Sequence, residues 1–269
     1  MTPPSMLSYE FCALTDTGRV RANNEDAVAV HPDVRLALLA DGMGGYNAGE
    51  VAAHMAVDQV GDAMQRWLVQ AGPDASTTEV RRALAHAVDQ ANHAILGAAL
   101  YNPNYQGMGT TLVVAVFCGD RLVLGHIGDS RCYRLRAGAL RQITRDHSWL
   151  QEQIDAGLLT PQEAARSGLR NLVTRALGVE PGALMEINEF TVESGDLFIL
   201  CSDGLTDMMG AAELTDLASQ PVALAQRAER MVNMANALGG RDNISVLLAY
   251  ASAAADAQRG LVSRLLHPH

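Results

Sequence analysis

The sequence contains no lysine; apart from its histidines, every basic side chain along it is arginine. That removes a phosphate-cradling P-loop, whose G-K-S or G-K-T ending needs the lysine. Cysteine is scarce as well. Cys12, Cys118, Cys132 and Cys201 lie far apart, form no C-x-x-C pair and sit mostly in apolar strand-like runs, so they read as reduced core thiols in a cytoplasmic protein. No stretch of about eighteen apolar residues occurs, and Met1 to Glu10 has neither a basic nor an apolar signal region. Membrane spanning and secretion are not expected. Positive charge is in deficit, 20 basic against 30 acidic residues for a formal net charge of -10, which argues against nucleic acid or an anionic membrane as partner. Internal repeats and low-complexity tracts are also missing.

What is present is an ample apolar fraction, 48% of 269 residues, enough for a substantial core. We expect one domain over residues 1–251 and a C-terminal tail, 252–269, whose order the composition leaves open. Apolar runs of strand length recur at Glu10 to Thr15, Ala27 to Val30, Leu36 to Ala40, Thr111 to Phe117, Leu122 to Ile127, Cys132 to Leu135, Ile187 to Val192, Leu197 to Cys201 and Ile244 to Tyr250. Three longer segments have helical spacing. The first, Ala48 to Leu68, carries Val51, Met55, Met64 and Leu68 near one face. The second carries Val80, Leu84, Val88, Ala91 and Ile95, with a capping box of Ser76 and Glu79. The third begins near Pro221 and stops at Gly239 and Gly240. Strands grouped together and separated by a few long helices predict an α+β fold of antiparallel sheets covered by helices, not a doubly wound parallel sheet. From Thr144 to Gly178 the pattern loosens into an inserted flap.

The informative residues are aspartates at the ends of apolar runs. Asp41 follows Leu36 to Ala40 and precedes Gly42-Met43-Gly44-Gly45; Asp129 follows Val123 to Gly128; Asp203 follows Leu197 to Ser202; Asp242 precedes the run from Asn243. One unpartnered buried carboxylate costs several kcal/mol by order of magnitude, so such groups need cations or donors. Oxygen-only ligands select hard ions, hence Mg²⁺ or Mn²⁺. Gly42, Gly44 and Gly45 permit positive φ and close backbone approach, so that the Gly42 carbonyl can face a metal. Arg21 offers a planar fork to a phosphate, beside Glu25 and Asp26, which can bind metal-held waters. Taken singly, an Asp-Gly is usually a turn and Arg21 a surface charge; the joint pattern is what points to phosphoryl hydrolysis. A dinucleotide-binding turn fails on spacing, because the third glycine place after Gly42 and Gly44 is Asn47. His126 reads as a core residue, His54 and His86 as surface, and Met43 and Cys201 as packing. His147, at the flap entrance, is not assigned by its neighbours.

With these residues the chain resembles the bacterial branch of the metal-dependent Ser/Thr protein phosphatases, the type 2C family. The resemblance covers Leu7 to Tyr250 and rests on Arg21-Ala22-Asn23-Asn24-Glu25-Asp26, Asp41-Gly42-Met43-Gly44-Gly45, Gly107-Met108-Gly109-Thr110-Thr111, Gly128-Asp129-Ser130-Arg131, Cys201-Ser202-Asp203-Gly204-Leu205 and Gly240-Arg241-Asp242-Asn243. It implies a four-layer αββα sandwich of two antiparallel sheets flanked by helix pairs. It also implies Asp41 bridging two Mn²⁺ or Mg²⁺ ions, with Asp203, Asp242 and the Gly42 carbonyl completing them, and a third, weaker ion at Asp129 with Asp203. Arg21 would orient the phosphate, Glu25 and Asp26 would act through water, and a water between the two ions would attack phosphorus. Family members often carry a histidine two or five residues beyond the first aspartate; here those places hold Met43 and Tyr46, which makes Tyr46, or a water on the metal, the candidate acid. A His-Pro common in the family's flap is replaced by Ser167-Gly168. The expected partners are phosphorylated proteins and a cognate Ser/Thr kinase, and the expected state is a monomer. A phosphatase-like binding module with weak catalysis, or a phosphoesterase for small molecules, is the alternative.

Overall fold

The structure, a computed structural model, describes residues 7–45, 48–164, 167–169, 172–182 and 184–254. In chain order the elements are β1 (Leu7–Asp16), β2 (Asp26–His31), β3 (Leu36–Met43), α1 (Ala48–Ala71), α2 (Thr77–Tyr101), β4 (Gly109–Thr110), β5 (Leu112–Cys118), β6 (Arg121–Ile127), β7 (Arg131–Arg136), β8 (Ala139–Gln142), α3 (Trp149–Asp155), α4 (Pro161–Ala164), β9 (Glu186–Thr191), β10 (Leu197–Cys201), α5 (Asp203–Thr206), α6 (Ala211–Ala218), α7 (Leu224–Ala237) and β11 (Ile244–Ala253). Among the described residues the strands make two antiparallel sheets. One runs β1-β11-β10-β7-β8, the other β2-β3-β5-β6-β9 with β4 paired to β3. No helix among the described residues is long and apolar enough to cross a membrane.

Three packed interfaces stack the layers into the expected αββα sandwich. Successive strand side chains point to opposite faces. On β3, Leu36, Leu38 and Ala40 therefore meet α1 and α2, while Ala37 and Leu39 meet Phe198, Leu200 and Leu247 of the other sheet. The outer face of that sheet, with Ile199, Cys201, Val246 and Leu248, is covered by α5, α6 and α7. A strand buried on both faces has no polar alternation, which is why Leu36 to Ala40 reads as an unbroken apolar run.

The helix stripes hold with two adjustments. On α2, Val80, Leu84, Val88, Ala91 and Ile95 are all buried and the Ser76–Glu79 capping box is formed. On α1 the buried centre is Ala52, Ala56 and Val60, with Val51, Met55 and Leu68 only flanking it; small alanines let the helix lie close on β3, and bulk marks the edges of that contact. The third helix begins at Leu224, three residues after Pro221, which occupies the preceding bend. β4, β8, α5 and α6 lie outside the expected elements. β11 runs on to Ala253, paired with Leu7, so two residues assigned to the tail belong to the sheet; tail positions 255–269 lie outside the described residues.

Candidate active site

Strand direction gathers the acidic residues at one pole. β3, β6 and β10 run toward it and end next to Asp41, Asp129 and Asp203; β2 and β11 start from it at Asp26 and just after Asp242. The registers fix this. Asp26 pairs with Asp41 across β2 and β3, and Asp16 pairs with Ile244 across β1 and β11. The result is a cleft of about 190 Å³ lined by Arg21, Glu25, Asp41, Gly42, Met43, Gly44, Thr111, Asp129, Val173, Asp203, Asp242 and Asn243. Every expected site residue within the described set is on this wall, apart from Asp26, which lies buried behind Asp41. Tyr46 lies outside the described residues.

Burial and mutual repulsion set the electrostatics. Burial, then Asp26, Asp203, Asp129 and Asp242, holds the Asp41 carboxyl well above its ordinary value. Asp203 is raised well above it too, by burial and then by Asp129, Asp242 and Asp207. Burial pushes Asp26 up to about 6 despite the hydroxyl donors beside it, and pushes Asp129 up to about 6 with help from Asp146. Asp26 accepts from Ser202 Oγ (2.8 Å) on one oxygen, while its buried Oδ1 has no hydrogen-bond partner. A group of oxygens this crowded and this short of donors suits hard divalent cations.

Rigid supports surround the carboxylates. Thr111 accepts the Asp41 N–H at Oγ1 (3.0 Å), returns its own N–H to the Asp41 carbonyl (2.9 Å), and pairs its Oγ1 with Ser130 Oγ (2.8 Å). Asn243 accepts the Glu25 N–H (2.8 Å) and donates to the carbonyls of Thr17 and Asn23 (3.0 and 2.9 Å), which fixes the loop that presents Arg21. Arg21 itself donates to Asp242 (2.7 Å) at the exposed rim, and that bond is the first cause of its raised pKa.

Gly42 corrects one expectation. It does not take positive φ. Its glycine is required by close approach, since a Cβ would lie 2.1 Å from the Gly49 carbonyl oxygen and 2.7 Å from that of Glu25. Gly45 has neither positive φ nor a close neighbour, so the structure gives no reason for glycine there. Met43 is cleft wall as well as packing. His126 is the core residue expected, with Nε2 at 2.8 Å from the Arg145 carbonyl, and His54 and His86 are exposed.

The family Protein phosphatase 2C matches residues 17–249. The chain belongs to the protein phosphatase 2C family. Serine/threonine protein phosphatase PstP of Mycobacterium tuberculosis is 39% identical over 246 residues, 90% of this chain and 45% of that protein. Protein phosphatase PhpP of Streptococcus pneumoniae is 38% identical over 244 residues, 89% of this chain and 96% of PhpP. The solved catalytic domain of PstP in complex with two manganese ions has a TM-score of 0.80 at 37% identity, covering 91% of this chain and 99% of that one. The chain thus spans less than half of the mycobacterial relative and nearly all of the streptococcal one.

Within this family fold, one acidic residue escaped the reading of motifs. Asp207 sits one helical turn after Asp203, its N–H donating to the Asp203 carbonyl (2.7 Å), and its charge raises both Asp129 and Asp203. It lines a second hollow of about 280 Å³ with Asp129, Asp203, Arg131 and the flap residues Leu150 and Ile154. The i, i+4 spacing from Asp203 was its one signal, because no apolar run precedes it.

Proposed function

We propose that this protein hydrolyses phosphoserine and phosphothreonine in proteins, using Mn²⁺ or Mg²⁺ held at the acidic pole. The observation that carries the reading is the convergence of Asp41, Asp129, Asp203 and Asp242 on one cleft with an arginine at its rim. Asp41, Asp203, Asp242 and the Gly42 carbonyl are the donors for two ions, and Asp129 with Asp203, joined by Asp207, for a third. Bound there, the cations supply neutralising charge and a water acidic enough to be the nucleophile near neutral pH.

The chain's own groups do the rest. Arg21, with more donors than Asp242 can accept, orients the phosphate at the mouth of the cleft. Glu25 and Asp26 take outer positions and act through water. The leaving oxygen needs a proton that Met43 cannot give, so Tyr46 or solvent in the cleft serves as acid. The free thiols agree with a reducing cytoplasm, and we take the enzyme to act as a monomer opposing a Ser/Thr kinase.

Assay of the purified protein on a phosphothreonine peptide with and without Mn²⁺ tests this: turnover is expected only with the metal. Metal-independent turnover, or none, overturns it. Met43 on the cleft wall, a side chain with no proton to transfer, favours one second reading, a phosphoprotein-binding module with little catalysis. Comparing an aryl phosphate, whose leaving group needs little protonation, with a phosphoserine peptide separates the two: cleavage of neither supports the module.

A further inference from the structure

At the base of the flap, beside the ion pair of Asp146 with Arg131, one histidine meets the acidic pole. His147 is 7% exposed and bonds Gly128 twice. Its main-chain N–H donates to the Gly128 carbonyl (2.9 Å), and its Nδ1 accepts the Gly128 N–H (3.2 Å). Its own carbonyl accepts the Thr174 N–H (2.8 Å), the Trp149 N–H donates to the Leu172 carbonyl (2.8 Å), and Ser148 lies opposite Val173. The two ends of the flap are therefore joined beside His147, and Val173 of the returning segment is a wall of the cleft.

Gly128 directly precedes Asp129 and has no slack on its other side. Its φ is +100°, and a Cβ there would lie 2.6 Å from Thr111 Cγ2. Thr111 is the residue that holds the Asp41 main chain. Gly128 is thus wedged between the support of Asp41 and the base of the flap.

His126, His147 and Glu186 also bring three ligand-type atoms within 4.8 Å of one another. The hydrogen bonds argue against a cation there. Because His147 Nδ1 accepts from Gly128, the neutral ring carries its proton on Nε2, 3.6 Å from Glu186, and a protonated nitrogen is no ligand. Burial and then His126 push His147 down to about 4, which keeps the ring neutral and able to accept at pH 7.

We propose that His147 is a positioning residue that fixes the Gly128–Asp129 turn and the base of the flap as one unit, so that losing its Nδ1 acceptor loosens the flap and weakens cation binding at Asp129 together. Only the second half rests on the reading of Asp129 as a cation ligand. His147→Asn and His147→Gln separate the acceptor from mere bulk, because an Asn amide oxygen can take the place of Nδ1 whereas a Gln amide reaches toward Nε2.

Hydrogen–deuterium exchange in chelator reads the first half. The Gln variant is expected to exchange about tenfold faster at the Gly128 amide and in flap peptides over 149–164, the factor that one net hydrogen bond is worth, with Asn near the parent. Calorimetric titration with Mn²⁺ reads the second: the weakest site loses about tenfold in the Gln variant and the tighter sites stay. Faster exchange in the flap or at Gly128 alone, or equal behaviour of Asn and Gln, overturns the coupling. An unaltered weakest site in a loosened Gln variant overturns the link to Asp129. A parent protein that takes up no Mn²⁺ sinks the cation reading, and the exchange result still decides the coupling. Should the Gln variant unfold, seen as lost protection in α2, Thr174→Pro removes the N–H donated to the His147 carbonyl and carries the same expectation.

Discussion

Asn243 shows how one amide can hold a loop in register. It is buried, and its side chain meets the Glu25 N–H and the carbonyls of Thr17 and Asn23, so both ends of the Arg21 loop are tied to it. Asn243→Ala would strand three main-chain groups, only some of which water can reach. At ~1–3 kcal/mol for each buried group left unmet, a loss of about 2–4 kcal/mol is expected in urea unfolding, with a higher KM as Arg21 loosens. An unchanged KM would mean that Arg21 does not touch substrate. The carboxylates make a second residue-scale prediction. Asp203→Ala, which removes a donor common to two ions, should nearly abolish turnover, whereas Asp129→Ala should lower it and leave two ions bound by calorimetry; full activity in Asp203→Ala would refute the assignment. Asp41, Asp129, Asp203 and Asp242 were legible because a charge at the end of a buried apolar run demands a partner, and four such charges demand a common one. Asp207 was not, since an acid just past a short helix looks like any solvated turn.

Among the elements, the flap depends on anchors at both ends, and its exit is held by α2. Asn92 is fully buried; its Oδ1 accepts the Gly178 N–H (2.7 Å) and its Nδ2 donates to the Glu180 carbonyl (2.9 Å). Next along, Leu177 exchanges both main-chain hydrogen bonds with Thr110 (3.0 and 2.9 Å), whose Oγ1 donates to the Asp41 carbonyl (2.9 Å). Asn92→Leu keeps the volume and removes both bonds, so a cost of about 2–5 kcal/mol in urea unfolding is expected, with KM rising more than kcat falls. A cost under ~1 kcal/mol would show the exit loop holding itself. α2 was readable in outline because a buried stripe and a capping box agree. β8 was not: it is a four-residue edge strand with no fully buried side chain, too short and too polar to show a period. α5 escaped for a related reason. Its single turn begins at Asp203, where Ser202 Oγ accepts the Ser245 N–H (2.9 Å) instead of a helix N–H, so the serine before the turn makes no cap.

At the scale of the whole molecule, the sandwich acts as a frame that forces like charges together. Its three apolar interfaces hold β2, β3, β6, β10 and β11 in a register that no acidic cluster would choose in water, and burial, with the crowding of like charges added to it, raises the pKa values of Asp26, Asp41, Asp129 and Asp203. Asp26 and Asp129 move from an ordinary 3.8 to about 6. Between those values the folded state holds more protons than the unfolded chain, so without metal its stability must fall as pH rises through the window. His147 acts in the opposite sense, because a histidine pushed from 6.5 down to about 4 makes the folded state bind fewer protons there. It is one group against four carboxylates, so the acids decide the sign. In chelator, Tm is expected to be several degrees lower at pH 7 than at pH 5, given that ~1 kcal/mol moves Tm by roughly 2–4 °C in a domain of this size. Excess Mn²⁺ at pH 7 should return it, since a ligand of the folded state at 100 times its Kd stabilises by about 2.7 kcal/mol. Scanning calorimetry at the two pH values, with and without Mn²⁺, makes the comparison. A chelated protein whose Tm is flat or rises from pH 5 to pH 7 would show that the pole is not under electrostatic strain, and the case for cations there would lose its physical ground.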